Sequence, residues 1–306
     1  MCMEKLRYNK LNTYLSTKFG GRVLKVCVDG GFTCPNRDGT KGHGGCIYCS
    51  ELGSGELINK TSSISSQVTN FLSSYRGQRA NKFIVYFQNF TCTYDSIDSL
   101  KQKYNEALCA DSKIIGLSIA TRPDCITKEV CSLLSSYLDK YHVSVELGLQ
   151  TANNKIGDTI NRCYTTQDFV TAVKLLHEHG IEVVAHMMIG LPNESRQDIV
   201  DTVNLLNSVG VDGVKIHSTY VVKNTKLHDL YVSGNYTPIT FDYYVDSVIY
   251  AITHFNPNIV IHRITGDAPK DILVAPQWNK SKKVVMNTIH NVLEHDNLHQ
   301  GMYYSK

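Results

Sequence analysis

Six short apolar runs, each followed by a segment of helical periodicity, fill the chain from about residue 20 to 217. They are 23–28 (VLKVCV), 83–88 (FIVYFQ), 115–120 (IGLSIA), 143–149 (VSVELGL), 182–189 (EVVAHMMI) and 213–217 (GVKIH). Runs this continuous in β-branched and other apolar residues suit parallel strands covered on both faces. The segments between them are amphipathic. Residues 64–75 place Ile64, Val68, Phe71 and Leu72 on one face. Residues 127–139 begin at Thr127, an N-cap, with Glu129 in the first turn. Residues 166–179 end at Gly180, and 195–209 begin with a capping serine and end at Gly210. Strands alternating with helices leave two architectures, a β/α barrel or a doubly wound sheet. Both put ligands at the C-terminal ends of the strands.

Beyond residue 220 the pattern changes. Residues 240–254 read as a helix, 259–264 (IVIHRI) as a strand and 281–295 as a last helix, with no tandem repeat. The 306 residues suffice for one large α/β domain or two small ones. The expected division is an N-terminal extension over 1–20, a core over 21–220, and a C-terminal α/β extension over 221–306. That extension is expected to pack on the core and to contribute to substrate binding.

A 42 % hydrophobic and 19 % charged composition is that of a globular chain, and a net charge of +3 is too small to demand a polyanionic partner. No apolar run approaches the roughly 20 residues of a membrane-spanning helix. The opening MCMEKLRYNKLNTYL lacks the apolar centre of a secretory signal, so the cytoplasm is the expected location.

Ten cysteines are many for such a chain, and without a signal they point to metal binding before disulfides. Cys27, Cys109, Cys125 and Cys131 lie beside apolar residues and are expected to be small buried hydrophobes. The chemistry lies in GGFTCPNRDGTKGHGGCIYCS after the first strand: Cys34, eleven residues, then Cys46-Ile-Tyr-Cys49. Its glycines let a loop wrap closely round a cofactor. A structural zinc takes four protein ligands and a simple electron-transfer cluster four cysteines. Three cysteines leave one iron of a [4Fe–4S] cluster open to chelate a cosubstrate. A zinc loop with His43 or Cys27 as fourth ligand is the alternative.

Three cysteines after the first strand, with an aromatic between the last two, resemble the radical S-adenosylmethionine (SAM) superfamily. The wide first gap resembles its Elp3-like branch and, within that, the YhcC/YtqA (MnmL-like) group, of which CPNRDGTKGxGGCIYC is a signature. The resemblance continues through KTSSISSQ, YFQNFTCTY, IATRPDC, ELGLQTAN, GLPNES, RITGDAPK and APQW, across roughly the whole chain. It implies a partial (β/α)6 TIM-like barrel with Cys34, Cys46 and Cys49 on a [4Fe–4S] cluster. That cluster reduces SAM to methionine and a 5′-deoxyadenosyl radical, which abstracts a substrate hydrogen. An external electron donor is implied as well.

The remaining candidates fall at strand ends. Gln88 and Asn89 stand where relatives contact the methionine amino group through an acidic residue, missing here; a capped loop without a ligand is the alternative. Arg122 offers a fork to the methionine carboxylate, or braces its loop through Asp124. By resemblance Glu146 and Gln150 point into the barrel and bind ribose or the methionine moiety; otherwise they form a polar pair with Lys215 or Arg122. Gly190 lies in a stretch like that which passes the adenine. His186 and His217 end the fifth and sixth strands, where a histidine is more often structural. Tyr48, between two cysteines, is a candidate to stack near the adenine, or simply packs. Cys92 and Cys163 carry only the expectation of buried thiols.

For the substrate, Lys270, Lys280, Lys282, Lys283, His290, His295 and His299, with Arg263, make the tail basic, which fits a phosphate-rich partner or a solvated helix face. The resemblance implies a tRNA: conversion of 5-carboxymethylaminomethyl to 5-aminomethyl at the wobble uridine, by attack on the glycine-like carbon and cleavage of its C–N bond. The base must be splayed out to reach a barrel mouth. Radical chemistry on a small metabolite and a zinc-stabilised nucleic-acid-binding module are the competing readings.

Overall fold

The computed structural model describes residues 6–51, 53, 62–266 and 268–305. Cys2, Lys60 and Thr61 of KTSSISSQ, and Asp267 of RITGDAPK lie outside the described residues. The strands are β1 (Val23–Val28), β2 (Lys82–Phe87), β3 (Ile114–Thr121), β4 (His142–Gln150), β5 (Glu182–Ile189), β6 (Gly213–Ser218), β7 (Val221–Val222), β8 (Val260–Arg263) and β9 (Leu273–Ala275). The helices are α1 (Leu11–Phe19), α2 (Ile64–Ser73), α3 (Ile97–Leu108), α4 (Lys128–Ser135), α5 (Asn154–Thr159), α6 (Thr166–Glu178), α7 (Arg196–Val209), α8 (Lys226–Val232), α9 (Phe241–His254) and α10 (Lys282–His295).

The main sheet is all parallel in the order β1-β2-β3-β4-β5-β6-β8. From β1 to β6 each strand lies beside its neighbour in sequence, and β8 pairs with β6 while β7 joins β9 in a separate ribbon. The outward-facing residues of the strands pack under the helices in one continuous core, which includes Val26, Val28, Phe83, Val85, Leu117, Val145, Val183 and Val214. Side-chain caps fix the helix starts: Ser63, Ser96 and Thr127 each accept a backbone N–H, and Thr165 and Ser195 form complete capping boxes with Asp168 and Asp198.

The sheet curls. Nζ of Lys25 on β1 lies 2.7 Å from Oε1 of Glu146 on β4. Three strand spacings of a flat sheet would hold those strands about 14 Å apart. Lys215 on β6 reaches the same carboxylate from the other side. The result is a partial, TIM-like barrel with β1 and β8 as its free edges.

This partial barrel has seven strands, not six. The run at 259–264 becomes β8, pairs with β6 and contributes to the main sheet instead of packing over it. Ile261 also bridges Lys10, just before α1. Four further helices, α1, α3, α5 and α8, are not among those expected from the sequence; α5 and α8 are only six and seven residues long. Three cysteines correct an expectation. Cys92, Cys125 and Cys131 are buried, but Cys27, Cys109 and Cys163 are exposed. Cys27 shares the inner face of β1 with Lys25, whereas Val26 and Val28 turn outward under the helices. Cys109 caps the end of α3.

Among the described residues, no helix is long and apolar enough to cross a membrane.

Candidate active site

The cysteine loop sits at the C-terminal end of the sheet, immediately after β1. Its hydrophobic anchor is Ile47, which packs in a second small core with Ile156, Ile160, Leu191, Val221, Leu227, Tyr236 and Ala275. Ile47 donates its N–H to Ile160 O at 3.1 Å and accepts from Leu227 N–H at 2.9 Å. The C-terminal segment, through α8 and the β7–β9 ribbon, therefore holds the loop from above. Within the loop, Cys34 O accepts from the N–H of Arg37 and Asp38, and Cys46 O from that of Cys49. Asn36, wholly buried, donates to Asn161 O at 2.6 Å and also approaches Cys46 Sγ at 3.8 Å.

Two glycines are obligatory here. A Cβ on Gly42 would stand 2.4 Å from Asn36 Oδ1 and 2.9 Å from Cys163 Sγ. Gly45 has φ +73°, and its Cβ would meet Arg37 Nε at 2.9 Å.

Cys34, Cys46 and Cys49 are half-buried and in no disulfide among the described residues. Burial, reinforced by Cys49 and Cys34, pushes the Cys46 thiol up to about 12, while Arg122 pulls it down. Burial thus favours the thiol here in the absence of a metal, and a metal centre that takes the thiolate neutralises its charge. Among the described residues, no three His, Cys, Asp or Glu side chains converge tightly enough for a single ion. A cube that gives each cysteine its own iron needs no such convergence. The donor set fits a cluster with one open position.

Arg122 is buried and fully engaged. Its Nε and Nη2 each donate to Asp124 at 2.9 Å, Nη1 donates to Arg162 O at 3.0 Å, and Nη2 also reaches Cys163 O. Burial opposes its charge, but Asp124 outweighs that and holds it above the ordinary guanidinium value. Its fork is thus given to the loop. Beneath it lies Tyr164, 4.7 Å from Arg122 and 4.9 Å from Arg162. Tyr164 OH donates to Gly148 O and to Gln150 Oε1 at 2.7 Å, so Gln150, with φ +62°, is oriented by Tyr164. Arg162 is completely buried and ties together Leu149 O, Thr151 O, Tyr164 O and Asn154. Tyr48 hydrogen-bonds Cys46 and packs beside the Ile47 core.

Asn89 is buried and donates to Asp29 at 2.6 Å, with its own Oδ1 unpartnered among the described residues. Gln88 is half-buried at the end of β2. Gly190, with φ +91°, donates to Glu194 Oε2 at 2.6 Å and accepts from Tyr236 OH at 2.7 Å.

Glu146 pairs with Lys215, as one sequence reading allows, and not with Arg122. Its Oε1 accepts from Lys25 at 2.7 Å and Ser118 at 2.9 Å; its Oε2 accepts from Lys215 and lies 2.8 Å from His186 Nε2. Burial pushes this carboxyl up, but the two ammonium groups outweigh it and hold it well below the usual range. His186 and His217 stack obliquely at 5.1 Å, and burial keeps both neutral, that of His217 more strongly. Sequence reasoning missed Lys25, Arg162 and Tyr164. The available signal for Lys25 was a charge in the middle of an apolar strand, VLKVCV.

A curled parallel half-barrel crowned by a three-cysteine loop defines a class. The sequence profile of the radical SAM superfamily matches residues 37–206 and that of the Radical SAM C-terminal domain residues 211–295. The chain belongs to the radical SAM superfamily, and the [4Fe–4S] cluster and SAM of that family are its cofactors. Within it, the chain is 36 % identical to YtqA of Bacillus subtilis over 302 residues, which covers 98 % of this chain and 94 % of that one. A tRNA uridine(34) acetyltransferase of Methanocaldococcus jannaschii is 30 % identical over 177 residues, 56 % of this chain and 32 % of the relative. The structure of Methanocaldococcus infernus Elp3 superposes with a TM-score of 0.69 at 19 % identity, covering 91 % of this chain and 64 % of that one.

Proposed function

We propose that Cys34, Cys46 and Cys49 hold the [4Fe–4S] cluster and that the enzyme acts on the wobble uridine of a tRNA, converting a 5-carboxymethylaminomethyl arm to 5-aminomethyl by cleaving a C–N bond. The cluster loop over the open end of the half-barrel carries the reading. It fits a base turned out of its strand, with the arm directed into the curl of the sheet. The family's chemistry at such a site is the one-electron cleavage of SAM to a 5′-deoxyadenosyl radical.

The chain's own residues hold the parts in place. Ile47 and Asn36 fix the loop. Arg122 and Arg162 brace the β3 and β4 ends around Tyr164, which presents Gln150 to the ribose. Gln88, Tyr48 and Gly190 complete the cosubstrate's surroundings. Asn89, turned to Asp29, keeps one amide oxygen for the methionine amino group. The segment over 221–306 serves the substrate side, with Lys270, Lys280 and Lys283 exposed for phosphate contact. Its relatives in tRNA uridine modification support the substrate. The setting is the cytoplasm, with an external protein donating the electron.

Anaerobic reconstitution tests the chemistry. A brown protein with about four irons that releases 5′-deoxyadenosine from SAM and reductant is expected. Colourless protein with stoichiometric zinc would overturn it. Nucleoside analysis of tRNA from a deletion strain tests the substrate: accumulation of the carboxymethylaminomethyl nucleoside is expected, and an unchanged wobble uridine would leave a small metabolite as the substrate.

A further inference from the structure

Among the described residues, the inner face of the sheet sets two ammonium groups against one carboxylate. Lys25 of β1 and Lys215 of β6 both direct their ammonium groups to the single carboxylate of Glu146. Two cations thus share one anion in a place largely withdrawn from water, where Lys215 is 7 % exposed and Glu146 1 %. The nearby histidines, His186, His217 and His262, are neutral or positive and cannot cancel the excess. Arg263 of β8 adds its field at Lys215, His186 and His217. Burial, together with Lys25 and Arg263, lowers the Lys215 ammonium to about 8 despite Glu146.

Hydrogen-bond accounting leads to the same place. An ammonium offers three N–H donors. Lys25 uses two, on Ser118 Oγ at 2.9 Å and Glu146 Oε1 at 2.7 Å. Lys215 uses one, on Glu146 Oε2, with the Tyr86 ring 4.3 Å from its Nζ. Three ammonium N–H groups therefore meet no protein acceptor among the described residues. The buried Nε2 of His217 has no partner among the described residues. Spare N–H groups on two ammonium groups that face one space leave it able to take an acceptor. Space exists, because Cys27 on the same inner face is exposed although Lys215, Glu146 and Lys25 flank it.

We propose that this inner face is a carboxylate receptor for the substrate, in which Lys25 and Lys215 grip one carboxylate from two sides of the curl. Charge and depth select the ligand. Two ammonium groups set against one carboxylate favour an anionic group whose oxygens can accept from both lysines. Lys25 lies three residues before the end of β1, about 10 Å down the strand, so only a slender arm reaches it. A backbone phosphodiester, with chain on both sides, does not. The inference rests on the tRNA reading and deepens it, since a carboxymethylaminomethyl arm ends in such a carboxylate.

The test uses reconstituted enzyme and two probes, N-methylglycine and its neutral-ended amide N-methylglycinamide, titrated by ligand-observed NMR. N-methylglycine is expected to bind, and the amide to bind about tenfold more weakly or less. Lys215→Gln and Lys25→Gln should each weaken N-methylglycine by about tenfold while the affinity for SAM stays unchanged. Equal binding of the amide, or N-methylglycine binding indifferent to both substitutions, overturns the receptor. Weakened SAM binding overturns it too, by assigning the cations to the cosubstrate. If Lys215→Gln does not fold, Lys25→Gln, at a half-buried position, decides alone. Carboxylate binding alongside unchanged tRNA nucleosides would keep the receptor and remove the tRNA reading. Altered nucleosides without carboxylate discrimination would do the reverse.

Discussion

Lys25 and Glu146 lie 2.7 Å apart although two strands separate theirs in the sheet. The contact makes the curl of the sheet and the charge inside it one feature. A closed β/α barrel fills its centre with layers of branched apolar side chains. Here the corresponding inner positions carry Lys25, Tyr86, Ser118, Glu146, His186 and Lys215, so the interior stays polar and is available for chemistry.

Removing the anion from that network is costly. In Glu146→Gln, Lys25 and Lys215 face each other without a carboxylate, and breaking a buried pair in this way costs about 3 kcal/mol. Urea denaturation of the apoprotein should show this loss. Adding Lys215→Met should recover part of it, because the second cation is then absent, so the double variant should be more stable than the sum of the singles predicts. Strict additivity would show that the three groups do not act together.

The cysteines separate by position. Cys46→Ala should take iron after reconstitution from about four per chain to below one and abolish 5′-deoxyadenosine. Cys163→Ser should do neither. Cys163 abuts the loop, but its thiol points to Asn161 O and Oδ1 at 3.7 and 3.4 Å. Iron analysis beside product assay reads both, and loss of iron in Cys163→Ser would reveal a fourth ligand.

Much of this was legible in the sequence. The strands 23–28 and 182–189 fall where the apolar runs place them, and α7 starts at its capping serine, because these signals are local. The cysteine loop was legible because its residue types and spacing carry the chemistry themselves. What the sequence could not show is long-range. That 259–264 joins the main sheet depends on pairing with β6, far away in the chain. That Arg122 gives its fork to Asp124 while Arg162 is wholly buried depends on where the connections that follow β3 and β4 meet. That Lys25 meets Glu146 depends on curvature, which no periodicity records.

Gly42 is the tightest point of the loop. Gly42→Ala would put a methyl group 2.4 Å from Asn36 Oδ1, a side chain that is itself buried and tied to Asn161. Overpacking of this kind costs about 1–3 kcal/mol, and here the strain falls on the residue beside Cys46. Iron retention during gel filtration should drop more than the melting temperature of the apoprotein. An unchanged iron content would mean that the loop can shift without moving its thiols.

Glu194 sets a pH dependence of opposite sign to that of Glu146. Burial raises its carboxyl from 4.5 to about 8, against the pull of the Gly190 and Leu191 N–H groups, and its Oε1 has no partner among the described residues. Between those two values the native state holds a proton that the unfolded chain has released, so stability falls as pH rises through the window. Glu146, held low, contributes stability above the ordinary carboxylate range and loses it only as pH falls through its depressed value. Glu194→Gln keeps an acceptor for both N–H groups but cannot titrate. Urea midpoints of the apoprotein measured from pH 5 to 8 should therefore fall more steeply for the wild type than for Glu194→Gln, with the variant the more stable at pH 8. Parallel profiles would show that Glu194 titrates in its ordinary range, with water reaching its second oxygen.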